Sequence, residues 1–123
     1  NAGFGLRGPF AEQPLDELMG MIALNITALT RLSRLALPGM IARGEGGILN
    51  VASTAAFQAG PNMALYYATK AFVLSLSEAL HEEAKPHGVR VTALCPGPTH
   101  SEFAARAKMD DLQMFRRAAM SAR

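Results

Sequence analysis

Tryptophan is missing from the 123-residue chain, cysteine occurs once, and only 18% of the residues are charged. The single thiol, Cys95, excludes an internal disulfide or a cysteine-rich metal site. His81, His87 and His100 lack the paired spacing of a zinc site, so no metal is expected. Charge is scarce against the usual ~25%, while hydrophobic residues reach 50% and mean hydropathy is +0.13. That much apolar side chain excludes a disordered, solvating protein, because its burial offsets the entropy of ordering. Net charge is +2, and the aromatic residues, 7% of the chain, do not cluster with the cations. A nucleic-acid surface interleaves the two, so no nucleic-acid partner is expected. Long uncharged apolar runs are lacking too: Met19 to Ala42 is broken by Arg31 and Arg34, which excludes a membrane span there. No signal peptide opens the sequence, and a cytoplasmic protein is expected.

What is present alternates between helix and strand. The chain starts at Asn1, without Met, in a Gly- and Pro-rich stretch over residues 1–13, as expected of a piece of a longer chain. Pro14 suits a first helical position, with Asp16 and Glu17 in the first turn. Leu15, Leu18, Ile22, Ile26 and Leu29 form a helical stripe. That helix is expected to reach about Leu37, before Pro38-Gly39, with room for a further turn to Arg43. Gly47 to Val51 reads as a buried strand, and Ala52 to Asn62 as a loop. Met63 to Lys85 has neither Gly nor Pro, and Leu65, Ala68, Phe72, Leu76 and Leu80 predict a second helical stripe. Val89 to Leu94 reads as a strand that Cys95-Pro96-Gly97-Pro98 stops, and Glu102 to Arg123 is helical in composition. The order predicts an α/β fold, part of a doubly wound parallel sheet, in a single partial domain over 1–123. Two strands make a poor sheet alone, so the fold calls for neighbours.

Two spacings suggest chemistry. Gly3-Phe4-Gly5-Leu6-Arg7-Gly8 matches the G-x-G-x-x-G phosphate turn, but no strand precedes it and Pro9 separates it from the helix, so the match is set aside. Tyr66 and Lys70 are four apart in a helix and share a face. An ammonium near a phenol lowers its pKa toward working pH, which makes it a proton donor or acceptor. Ser53 follows the carboxyl end of the 47–51 strand, where open α/β sheets place ligands, and can bond a carbonyl oxygen or merely cap the loop. Asn25, polar between Leu24 and Ile26, either faces solvent or backbone, or marks a local helix distortion that holds a water.

The set Asn1-Ala2-Gly3, Asn25, Ser53, Tyr66-x-x-x-Lys70 and Pro96-Gly97 resembles the second half of a short-chain dehydrogenase/reductase. The resemblance implies a Rossmann-type fold whose N-terminal cofactor half lies outside this sequence. It implies an NAD(P)-dependent oxidoreductase that transfers a hydride between the nicotinamide and a carbonyl or secondary-alcohol carbon. Asn25, Ser53, Tyr66 and Lys70 would be the catalytic residues. Asn1, Ala2, Gly3, Tyr66, Lys70, Pro96, Gly97, Thr99 and Ser101 would contact the cofactor, NAD or NADP, with the choice between them left open. The partner would be a small carbonyl or alcohol substrate, and a homodimer or homotetramer would form through the two long helices.

Two other readings compete. One is a non-catalytic truncated half-domain that acts by association with another chain. The other is an isomerase or dehydratase of the family's extended branch, which keeps the Tyr–Lys pair but suits so compact a layout less well. Half the partners of these elements would be missing, so residues 1–123 expressed alone are expected to be insoluble, molten or rescued only by association, and to bind no nicotinamide cofactor measurably.

Overall fold

The computed structural model describes residues 3–100 and 120–121. Helix α1 spans Leu15–Ile22, with Asp16 and Glu17 in its positive first turn. Its axis continues through a π-helical segment, Ala23–Ala28, into α2, Leu29–Arg43. Strand β1 is Gly46–Val51, α3 is Ala64–Ala84 and β2 is Val89–Leu94. Short 3-10 turns lie at Phe10–Glu12, Thr54–Phe57 and Lys85–His87.

β1 and β2 pair in parallel, from Gly46 opposite Val89 to Val51 opposite Leu94, with α3 as the crossover. The ladder extends past the strands, since Ala52 N–H donates to Leu94 O at 2.8 Å and Thr54 N–H to Pro96 O at 3.0 Å. These bonds tie together the two carboxyl ends, which is where the candidate residues lie. Two further short strands, β3 (Thr99–His100) and β4 (Met120–Ser121), pair in parallel with each other. Met120–Ser121 is therefore extended, not part of a C-terminal helix, because its backbone groups find partners across a ladder. The rest of the helix expected over 102–123 lies outside the described residues.

The apolar residues gather at two ends. Met21, Ala55, Met63 and Tyr66 form one buried cluster, with Phe4, Leu6, Leu65 and Tyr67 against it. Ala84, Val89 and Val91 form the other, with Leu37, Met40, Ile41, Ile48 and Leu80. β2 alternates as expected, with Val89 and Val91 buried and Arg90 and Thr92 exposed.

Three sequence expectations shift, the first at β1, expected to be buried: only Asn50 is buried there, and Leu49 is 53% exposed. Leu15 is 70% exposed, and the buried positions of the first long helix are Leu18, Met21, Asn25 and Ser33. On α3 the buried residues are Tyr66, Thr69, Val73, Ser77 and Ala84, one step round from the apolar stripe. Hydrogen bonds make this possible, because each buried polar group there has a partner. α2 takes the further turn through Pro38 to Arg43 that the sequence left room for. Pro38 and Gly39 are exposed, so the missing N–H donor leaves only the Arg34 carbonyl to solvent, while Met40 and Ile41 beyond it pack on the second cluster.

Two turns meet at the amino ends of the strands. Gly88 has φ +75°, and a Cβ there would overlap the Gly44 carbonyl oxygen. Gly88→Ala is expected to destabilise the intact protein by about 2 kcal/mol or more in urea unfolding, through both strain and backbone collision. A variant as stable as wild type would show that this contact is not enforced.

Candidate active site

The site grows from the end of β1. Val51 is the last strand residue, and its carbonyl accepts from Lys70 Nζ at 3.0 Å. Ser53 then caps the 3-10 turn: its Oγ accepts from Ala55 N–H at 3.1 Å. That bond uses a lone pair and leaves the hydroxyl proton for Tyr66, with which Ser53 shares a side-chain hydrogen bond. The loop-capping role and the site role of Ser53 are thus both present in one geometry.

Tyr66 and Lys70 lie one turn apart on α3, Tyr66 buried and Lys70 half-buried. Lys70 Nζ is 5.8 Å from the centroid of the Tyr66 ring, and Tyr67 packs edge-on against it with centroids 6.1 Å apart. The expected lowering of the phenol pKa is not what this geometry delivers. Burial pushes Tyr66 above the ordinary 10.0, the Ser53 hydrogen bond pulls it part of the way back, and Tyr67 adds a small upward push. Burial also lowers Lys70 from its ordinary 10.5. Burial leads for both groups, and for the phenol it exceeds what the Ser53 hydrogen bond returns.

Asn25 sits in the π segment and is buried. The extra residue in the helical turn aims its amide sideways, off the axis. Nδ2 donates to Phe4 O at 3.0 Å and to Thr69 Oγ1 at 3.1 Å, while Oδ1 accepts from Phe4 N–H at 3.2 Å. Asn25 therefore holds the segment containing Gly3 and Phe4 against α3. Sequence reasoning missed both Thr69 and the Phe4 backbone; the one available signal was a polar residue three after Tyr66, on the same helix face.

Of the expected cofactor contacts, Gly3, Tyr66 and Lys70 come together. A Cβ on Gly3 would lie 3.0 Å from Asn25 Oδ1 and 3.7 Å from Lys70 Nζ, so a side chain there would press on the Asn25 amide. Pro96 is tied to the site through Thr54, and a Cβ on Gly97 would meet nothing within 4 Å. An ammonium at the strand ends, a bare glycine backbone beside it and open space past β2 fit a ribose-bearing dinucleotide. Asn1, Ala2 and Ser101 lie outside the described residues, and Thr99 is described only as part of β3. Among the described residues no group of His, Cys, Asp or Glu is placed to hold a metal, and no helix is long and apolar enough to cross a membrane. The G-x-G-x-x-G match at Gly3–Gly8 opens no helix: Gly8 N–H donates to Asn62 O at 2.8 Å, and a 3-10 turn follows.

The phenol makes a direct prediction. A 295 nm absorbance titration of the intact protein, minus that of Tyr66→Phe, should place the Tyr66 transition above 10.0. A transition below that value would contradict the burial-dominated site.

A family model described as short chain dehydrogenase matches residues 1–111. A ketoacyl reductase from Nostoc is 36% identical over 97 residues, 79% of this chain and 34% of its own. A very-long-chain 3-oxoacyl-CoA reductase from Phaeosphaeria nodorum is 45% identical over 83 residues, 68% of this chain and 24% of its own. Among solved structures, a short-chain dehydrogenase from Sphingobium yanoikuyae in complex with NADPH superposes with a TM-score of 0.90 at 38% identity, covering 98% of this chain and 46% of that one. A 3-ketoacyl-(acyl-carrier-protein) reductase from Brucella melitensis complexed with NADH gives 0.86 at 29% identity, covering 98% and 52%. This chain thus spans about a third or less of these curated relatives and about half of the solved ones. The fold is α/β of the Rossmann type, and the chain belongs to the short-chain dehydrogenase family.

Proposed function

We propose that this chain carries the proton-transfer half of a carbonyl reductase. The observation that supports it most is the Ser53–Tyr66 hydrogen bond at the carboxyl end of β1, with Lys70 one turn along the same helix face. When bound, the nicotinamide supplies a hydride to the carbonyl carbon. Tyr66 donates its hydroxyl proton to the carbonyl oxygen, and Ser53 bonds that oxygen through its own hydroxyl. Lys70 binds ribose hydroxyls, and Asn25 anchors a water that returns a proton to Tyr66. Gly3, Pro96, Gly97, Thr99 and Ser101, with Asn1 and Ala2, border the cofactor.

The raised phenol pKa suits reduction. At neutral pH Tyr66 is protonated, the state that can give a proton away. Alcohol oxidation needs the phenolate and is expected to quicken as pH rises. Because the two curated relatives named above are a ketoacyl and a 3-oxoacyl-CoA reductase, 3-oxoacyl thioesters are the substrates to try first.

The intact protein, given NADPH and acetoacetyl-coenzyme A, is assayed by loss of absorbance at 340 nm. Tyr66→Phe removes one hydroxyl and keeps the ring packing, so kcat should fall by about 10²–10⁴-fold with little change in Tm. Wild-type turnover in that variant would sink the assignment. Self-association through the long helices is part of the same reading, supported by Leu32 and Leu35 at 67% and 75% exposure on α2. Leu35→Glu should lower the sedimenting mass to that of a monomer, whereas an unchanged mass would place the interface elsewhere.

A further inference from the structure

Thr69 lies three residues after Tyr66 and immediately before Lys70, and it has no exposed surface. Its hydroxyl proton is committed: Oγ1 donates to the Tyr66 carbonyl at 2.8 Å. Its oxygen can then only accept, and the donor is Asn25 Nδ2, 44 positions away in sequence, at 3.1 Å. A threonine bonded back to its own helix is ordinary. What sets this one apart is the second bond, which leaves the helix and ends on another candidate catalytic side chain.

Both Nδ2 hydrogens of Asn25 are consumed, one by Phe4 O and one by Thr69. The Phe4 pairing fixes which way the amide faces, and the Thr69 bond fixes how far it stands from α3. Asn25 Oδ1 and Lys70 Nζ are thereby held on one side, within 3.0 and 3.7 Å of the position of a Gly3 Cβ. We infer that Thr69 is a positioning residue for the reaction: its hydroxyl clamps the Asn25 amide to the turn of α3 that carries Tyr66 and Lys70. This rests on the proton-transfer reading above.

Valine has nearly the shape of threonine and no hydroxyl. In Thr69→Val one Asn25 amide hydrogen is left buried without a partner, so the amide swings or recedes to find water. Thr69→Ser keeps the hydroxyl, and Thr69→Ala replaces the valine variant should that one fail to fold. Each variant of the intact protein is assayed with NADPH and acetoacetyl-coenzyme A, with Tyr66→Phe as control. Exchange of the Asn25 side-chain amide protons is followed by nitrogen-edited NMR in the same proteins. Thr69→Val should lose about tenfold in kcat with KM within about twofold, and its Asn25 amide should exchange at least about tenfold faster. Thr69→Ser should restore both. A lower Tm with kcat and amide exchange unchanged would overturn the inference and leave Thr69 a packing residue. Wild-type turnover in the Tyr66→Phe control would instead remove the reading of the site, and the exchange rates would still decide whether Thr69 holds Asn25.

Discussion

Helix α3 docks on the β1–β2 pair through one narrow stripe, and the sheet end, the loop after β1 and the candidate site all take their positions from it. The stripe is unusual in being mostly polar: Tyr66, Thr69 and Ser77 are buried beside Val73 and Ala84. Each polar member bonds to a different element. Tyr66 reaches Ser53 after β1, Thr69 reaches Asn25 in the π segment, and Ser77 accepts from Asn50 within β1 at 3.0 Å. Ser77 also donates to Val73 O at 2.6 Å, so its hydroxyl is used twice, as that of Thr69 is. Among the described residues no buried side-chain nitrogen or oxygen lacks a partner. A helix held by directional bonds has one seating, whereas a purely apolar stripe tolerates sliding.

That seating explains the electrostatics. Taking the phenol out of water favours its neutral form, and taking the ammonium out of water favours loss of its proton. For Tyr66 the folded pKa lies above the unfolded one. Its contribution to stability is therefore present below the ordinary tyrosine value and is lost as pH rises through the raised one. Lys70 runs the other way, since its folded pKa is lowered and the penalty of burying its charge is relieved as pH rises through that value. The Tyr66 window is alkaline, so near neutral pH the site holds a protonated phenol. A proton donor for reduction needs that state.

The legible part of the sequence was local. The Tyr66–Lys70 spacing, the Ser53 position after a strand and the parallel β1–α3–β2 order follow from helical period, strand length and Pro/Gly punctuation. The helix distortion at Asn25 was one of two readings of a polar residue in an apolar stretch, and the π segment is there. The partners of that residue were not legible. Phe4 lies 21 positions away and contributes only backbone atoms, which carry no residue-type signal. The buried face of α3 was misplaced by one step because apolar periodicity counts hydrophobic residues, while Thr69 and Ser77 are buried by hydrogen bonding. At Pro38 the sequence left two helix ends open, and the helix takes the longer one: an exposed proline removes one bond, and the packing of Met40 and Ile41 beyond it outweighs that loss.

The central claim is that Tyr66 transfers the proton while Lys70, held by the Val51 carbonyl, sets its charge environment and grips the cofactor. The pH–rate profile of Lys70→Ala in the intact protein, measured together with NADPH affinity, tests it most directly. Without the cation the phenolate is less favoured, so the limb governed by Tyr66 should move to higher pH and NADPH should bind more weakly. A profile at the wild-type position, with NADPH affinity unchanged, would make Lys70 a structural tether of α3 and contradict the account.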